Sequence, residues 1–129
     1  MKVIPESKIQ QEAVIWFTNT YCLKHHNPRL IIYSVPNGIT VPCKIADRIK
    51  ALDLLNKTGQ LAGVSDLCIE GVLGRIIHAE CKTQEGLQSY EQLDFENRTI
   101  ALGGKYFIFR NLTEFQNELL KHIVYLTTA

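Results

Sequence analysis

Long apolar runs are missing from this 129-residue chain. No stretch approaches the roughly 20 residues that a helix needs to cross a bilayer. The N-terminus has no signal-peptide pattern, so a cytoplasmic protein without a membrane partner is expected. Cysteine is sparse and unpatterned. Cys22, Cys43, Cys68 and Cys81 show no C-x-x-C spacing, and two of them sit inside apolar stretches. All four are expected to be reduced, mostly buried thiols rather than zinc ligands or disulfide partners. Repeats, linkers and low-complexity segments are also lacking, so residues 1–129 read as one domain, large enough for a core without metal or disulfide staples. Net charge is nearly absent as well, at +1, and does not by itself point to nucleic acid. Its distribution says more. Residues 1–62 carry eight Lys/Arg against four Asp/Glu, and residues 63–129 carry six against nine. A basic half facing phosphate and an acidic half collecting a cation would fit such a division.

What is present is concentrated in two short stretches, Gly63-Val64-Ser65-Asp66-Leu67 and Glu80-Cys81-Lys82. Asp66 opens one apolar run (Leu67 to Ile69) and Glu80 closes the next (Arg75 to Ala79), with Gly71-Val72-Leu73-Gly74 between them. This pattern predicts a hairpin in which Gly74 takes positive φ. A three-residue loop of Val72, Leu73 and Gly74 sets Gly71 opposite Arg75 and Asp66 opposite Glu80. Side chains alternate along a strand, so Glu80 and Lys82 share a face and Cys81 points to the other. Two carboxylates about 4 Å apart repel by roughly 4 kcal/mol at an effective dielectric of 20. A divalent cation between them removes that cost, and Lys82 beside it can orient or activate water. The bland alternative is a solvated charge pair at a strand end, but a carboxylate facing a carboxylate is a poor cross-strand pair without a cation.

The remaining elements follow from periodicity and capping. A helix is predicted from about Glu6 to Leu23, with Ile9, Ala13, Trp16, Phe17 and Thr20 as its apolar stripe. Glu12, set among stripe residues, is expected near the buried face. A strand at Leu30–Val35 leads to a turn at Pro36-Asn37-Gly38. A second helix starts near Pro42 and stops at Gly59. A third starts at Ser89, where Ser89-x-x-Gln92 has capping-box spacing, and ends at Gly103-Gly104. Tyr106–Phe109 form a strand, and Thr113-x-x-Gln116 caps a final helix to about Leu126. The order α-β-α-β-β-α-β-α gives a mixed sheet covered by helices. Several candidate groups have local readings too. A Gln92 side chain reaching back to the cap leaves no reach for a metal centre, so Gln92 is either a cap or a site residue. Ser89 reads as a cap. His25-His26 reads as a helix-end surface pair. Lys44, Arg48 and Lys50 form either a solvated helix face or a track for DNA. Gly59 and Gly63 would let backbone approach a phosphate.

At Asp66 and at Glu80-Cys81-Lys82 the chain resembles the PD-(D/E)xK nuclease superfamily, and more narrowly the VRR-NUC family. That family's pattern runs through a helical Glu, a G-V-P-D-L stretch, an E-x-K and an S-x-x-Q helix start. Here these are Glu12, Gly63 to Leu67, Glu80 to Lys82, and Ser89 with Gln92, covering nearly the whole chain. Ser65 stands where the pattern usually has Pro. The resemblance implies a restriction-endonuclease-like α/β/α core and a structure-selective DNA endonuclease. It implies Mg²⁺, with Mn²⁺ as a substitute, held by Asp66, Glu80 and the backbone carbonyl of Cys81. Lys82 would assist the attacking water, Glu12 would hold a second metal or orient Lys82, and Gln92 would bond a metal water. Asn37, Lys44 and Arg48 would touch DNA. A stand-alone domain of this kind resembles a Holliday-junction resolvase acting on branched DNA as a homodimer, of bacterial or phage origin. A flap or single-strand nuclease is the alternative activity, and a catalytically inert DNA-binding module the alternative class.

Overall fold

The computed structural model describes residues 3–36 and 45–129, without the side chains of Ile45, Ala46 and Arg48. The calls on Asn37 and Lys44, and on the Arg48 side chain, lie outside these described residues. Helix α1 spans Glu6–Tyr21 and strand β1 Ile31–Ser34. Helix α2 (Ile45–Lys57) precedes strands β2 (Leu67–Glu70) and β3 (Ile76–Cys81), which are joined by one 3-10 turn at Val72–Gly74. Helix α3 (Tyr90–Ala101), strand β4 (Lys105–Phe109) and helices α4 (Leu112–Leu120) and α5 (Ile123–Thr127) complete the order. It is the predicted order, with the last helix broken in two.

Helix α1 forms on a stripe of Ile9, Ala13 and Phe17, all buried at helical spacing. Trp16 and Thr20 are only half-buried. The helix ends earlier than expected, and His26 Nδ1 accepts the Leu23 backbone N–H at 2.8 Å. That contact gives His26 a local structural role.

The sheet has the strand order β1-β2-β3-β4. Pairs β1–β2 and β2–β3 are antiparallel, and β3–β4 is parallel. The β2–β3 register pairs Leu67 with Ala79 and Glu70 with Ile76, so one step outward sets Asp66 opposite Glu80, as the hairpin arithmetic requires. The Gly71 N–H donates to the Arg75 carbonyl at 2.9 Å. Gly74 has φ +69°, as predicted, while Leu73 beside it also sits in the left-handed region at φ +58°. Alternation then divides the sheet into two faces. Leu67, Ile69, Ile77, Ala79, Cys81, Phe107 and Phe109 share a single buried core with Phe17 of α1 and Phe115 of α4. Across the sheet, Phe95 of α3 meets His78 at 5.1 Å and Tyr106 at 6.2 Å between ring centroids. Helices thus lie on both faces, giving the expected α/β/α layers.

The C-terminal end departs from expectation. Asn111 caps α4, accepting the Glu114 N–H at 2.8 Å, in place of the expected Thr113. The helix then breaks at His122, whose ring stacks on Phe107. Arg75 donates to the carbonyls of Tyr125 and Thr128, and a Cβ on Gly71 would overlap the Leu126 carbonyl. Leu126 is fully buried, so this end of the tail finishes the core, while Val124 stays exposed. Among the described residues no helix is long and apolar enough to cross a membrane. Cys68 and Cys81 are buried free thiols and Cys22 is half-buried and free.

Candidate metal centre

Asp66 stands at the mouth of β2, and its carboxylate Oδ2 accepts the Cys81 backbone N–H at 2.8 Å. Within a strand the N–H and C=O of one residue point to the same side, so the Cys81 carbonyl heads toward the edge where Asp66 stands. The Cys81 thiol turns the other way and donates to the Glu6 carbonyl of α1 at 3.4 Å. Glu80, only 1% exposed, faces α3. Its Oε1 accepts Gln92 Nε2 at 3.2 Å and its Oε2 accepts the Tyr106 hydroxyl at 3.3 Å. Lys82, 8% exposed, donates its Nζ to Gln92 Oε1 at 2.7 Å.

Gln92 therefore connects an acid and a base that belong to one strand face. The sequence argument that a capping Gln92 has no reach for the site fails here. Gln92 Oε1 accepts both the Ser89 N–H, at 2.8 Å, and Lys82 Nζ, while Nε2 bonds Glu80. A carbonyl oxygen has two lone pairs and the amide nitrogen adds donors, so a single rotamer closes the capping box and spans the site. Ser89 is the cap, accepting the Gln92 N–H.

The electrostatics follow from burial. Desolvation, reinforced by the Asp66 carboxylate, pushes Glu80 up to about 9, against opposing pulls from Lys82 and Tyr106. At neutral pH and without a cation, Glu80 is then a neutral acid sharing a hydrogen bond with Asp66. Burial also raises the Tyr106 hydroxyl. It lifts the Cys81 thiol to about 12, helped by the negative charges of Asp66, Glu6 and Glu80.

Glu12 lies outside this cluster. It is exposed on α1 and has no hydrogen bond or ion pair among the described residues. The charge of Glu6, at the start of α1, is felt by the Cys81 thiol on the opposite face of β3 and not by this cluster. The stripe of Ile9, Ala13 and Phe17 faces the core, and Glu12 is off that line. Gly63 was expected to admit a phosphate. It has φ +87°, and a Cβ there would overlap the Glu91 carbonyl and crowd the Gln92 nitrogen. What it admits is the first turn of α3. Tyr106 was missed because only the parallel β3–β4 pairing, with His78 beside Tyr106 and Glu80 beside Ile108, brings it to Glu80. Gln88 extends that contact, its amide reaching Tyr106 at 3.3 Å and Glu96 at 3.0 Å.

No group of three or more His, Cys, Asp or Glu side chains among the described residues could cage a metal. Two carboxylates with a backbone carbonyl form a smaller set, all oxygen. That set suits Mg²⁺, which keeps several of its waters and is usually held by one or two carboxylates. Each Glu80 oxygen retains acceptor capacity beyond its bond to Gln92 or Tyr106. A buried Glu80 raised by burial and by the carboxylate beside it fits the same ion.

No family model matches the sequence, and no curated protein matches it. Among solved structures, one described as a VRR_NUC domain protein superposes with a TM-score of 0.65 at 15% sequence identity. The match covers 97% of this chain and 92% of that one. At that identity the likeness speaks for architecture, and it spans nearly all of both chains: this protein has the α/β/α fold of a VRR_NUC domain protein.

Proposed function

We propose that the chain is a VRR-NUC-type, metal-dependent DNA endonuclease that hydrolyses phosphodiester bonds. The observation that carries this reading is the buried Glu80 facing Asp66, with Lys82 tied to Glu80 through Gln92, on a fold shared with a VRR_NUC domain protein. Asp66, Glu80 and the Cys81 carbonyl would hold Mg²⁺, or Mn²⁺ in its place. When bound, the ion supplies Lewis-acid stabilisation of the phosphoryl oxygens and an acidified water. Glu80 gives up its proton as the site is filled, and Gln92 and Tyr106 keep its two oxygens in place. Lys82, held by Gln92, sets a positive charge against the negative charge that develops on the phosphoryl group.

The substrate we propose is branched DNA, cut as by a Holliday-junction resolvase. Resolution requires paired cuts on opposed strands, and a homodimer provides two sites related by a two-fold axis. Exposed Ile49 and Leu54 on α2 give such a dimer apolar surface to cover. Cleavage assays on duplex, flap and four-way DNA with Mg²⁺ test the reading, alongside light scattering. Paired, symmetrical nicks in the junction by a particle of twice the chain mass are expected. A monomer that trims flaps and ignores junctions would replace this substrate with the flap reading. Binding without any cleavage would leave an inert DNA-binding module.

A further inference from the structure

Asp66 owes its position to the loop before it, and that loop is fastened at two points. Gly63 lies against the backbone of Glu91 and Gln92 in α3. Ser65 is fully buried, and its hydroxyl donates to the Leu67 carbonyl at 3.2 Å. The same oxygen lies 3.1 Å from His78 Nδ1. A serine has one proton to give. With that proton on Leu67, the imidazole must donate, so His78 carries its proton on Nδ1 and Ser65 Oγ accepts it. Cys68 Sγ lies 3.4 Å from the same nitrogen. His78 is set by its own surroundings, edge-on to Phe95 at 5.1 Å. Phe95 in turn lies 6.2 Å from Tyr106, which bonds Glu80. One contiguous set of contacts thus runs from the residue before Asp66 to the far oxygen of Glu80. A proline at position 65 would restrict the backbone through its ring. Serine has no such ring, and here a hydrogen bond to β3 holds the loop.

We propose that Ser65 and His78 are positioning residues: their hydrogen bond fixes the loop so that the Asp66 carboxylate meets the Cys81 N–H and stands opposite Glu80. The inference rests on the endonuclease reading for its effect on turnover, and on geometry alone for its effect on Asp66.

The test compares Ser65→Ala and His78→Leu with Ser65→Thr and His78→Asn. Threonine keeps the hydroxyl, and the asparagine amide nitrogen can stand where Nδ1 stands. Two readouts are taken on the full chain: kcat and KM for DNA cleavage with Mg²⁺, and hydrogen exchange of the Cys81 amide by NMR. Ser65→Ala and His78→Leu should lower kcat about 10- to 100-fold with KM little changed. Both should speed Cys81 exchange about tenfold as its bond to Asp66 loosens. Ser65→Thr and His78→Asn should recover most of both. Unchanged kcat and unchanged exchange in Ser65→Ala would overturn the proposal and leave the endonuclease reading standing. A wild-type chain that cuts no DNA would remove that reading, and the exchange data would still decide the positioning claim. Should His78→Leu fail to fold by circular dichroism, Ser65→Ala, which deletes a single oxygen, carries the same test.

Discussion

Strand β3 presents two buried faces that differ in kind. Toward α1 and α4 it offers Ile77, Ala79 and Cys81, each fully buried among aromatic and aliphatic neighbours. Toward α3 it offers His78, bonded to Ser65, and Glu80, which with Lys82 just past the strand end forms a hydrogen-bonded set with Gln92 and Tyr106. The first face gains free energy from every apolar atom withdrawn from water. The second pays for desolvating an acid and an amine and recovers part of that through hydrogen bonds. The contrast assigns their roles: one face stabilises the sheet, and the other is held by it in a state that only a cation relaxes. Substitutions on the two faces should therefore fail in opposite ways.

The largest effect is expected on the polar face. Asp66→Ala or Glu80→Ala should reduce Mg²⁺-dependent cleavage by about 10³-fold or more while the chain stays folded, since the apolar core on the other face of the sheet is untouched. Full activity with normal metal dependence in either variant would remove both residues from the site. Lys82→Ala should keep Mn²⁺ binding and lose most turnover. A loss of metal affinity as large as that of Glu80→Ala would instead make Lys82 an organiser of the site.

Next in size is the apolar face. Phe115 packs on Phe109 at 4.9 Å and Phe107 at 5.7 Å between centroids, and is fully buried. Phe115→Ala should cost about 3–5 kcal/mol, read as a lower urea midpoint. Cleavage per folded molecule should be nearly unchanged at low temperature. If the loss of activity exceeds the loss of folded protein, the two faces are not separable.

The sequence made the hairpin legible because its register depends on counting across a short loop, with Gly74 marking the turn. The Ser89–Gln92 box was legible for the same local reason. Features set by distant packing were not. Tyr106 reaches Glu80 only after β4 has crossed over α3 to pair in parallel. Gly63 answers to the first turn of α3, far along the chain. The last helix breaks where His122 stacks on Phe107, a contact no local propensity contains. Glu12 was placed near the buried face because stripe residues flank it, whereas the stripe of Ile9, Ala13 and Phe17 leaves it exposed.

The pH response sharpens the contrast on a smaller scale. Glu80 has its folded value raised to about 9 from an ordinary 4.5, so the native state holds a proton that the unfolded state releases. Its stabilising contribution is complete below about pH 4.5 and is lost as pH rises toward 9. The stability of the metal-free wild type relative to Glu80→Gln should therefore fall between pH 5 and 9, at no more than about 1.4 kcal/mol per unit. Added Mg²⁺ should flatten or reverse that fall. A parallel pair of stability curves in EDTA would mean that Glu80 is already ionised in the free protein.

The smallest effect tests how Gln92 divides its work. Ser89 caps α3 by accepting the Gln92 N–H at 3.2 Å, and its own N–H donates to Gln92 Oε1. Ser89→Ala removes the hydroxyl and leaves that backbone N–H, so the grip of Gln92 on Lys82 and Glu80 persists. A loss of about 1 kcal/mol of stability is expected, with kcat within about threefold of wild type, since that cost is spread over a helix end and not over the reacting groups. Gln92→Ala should behave differently. It leaves the 8% exposed Lys82 amine and one Glu80 oxygen without their partner, and a buried polar group stripped of its bond costs about 1–3 kcal/mol. Its kcat should fall well below that of Ser89→Ala at matched stability. Equal kcat in the two variants would mean that Gln92 serves the helix alone and that Lys82 and Glu80 are held by something else.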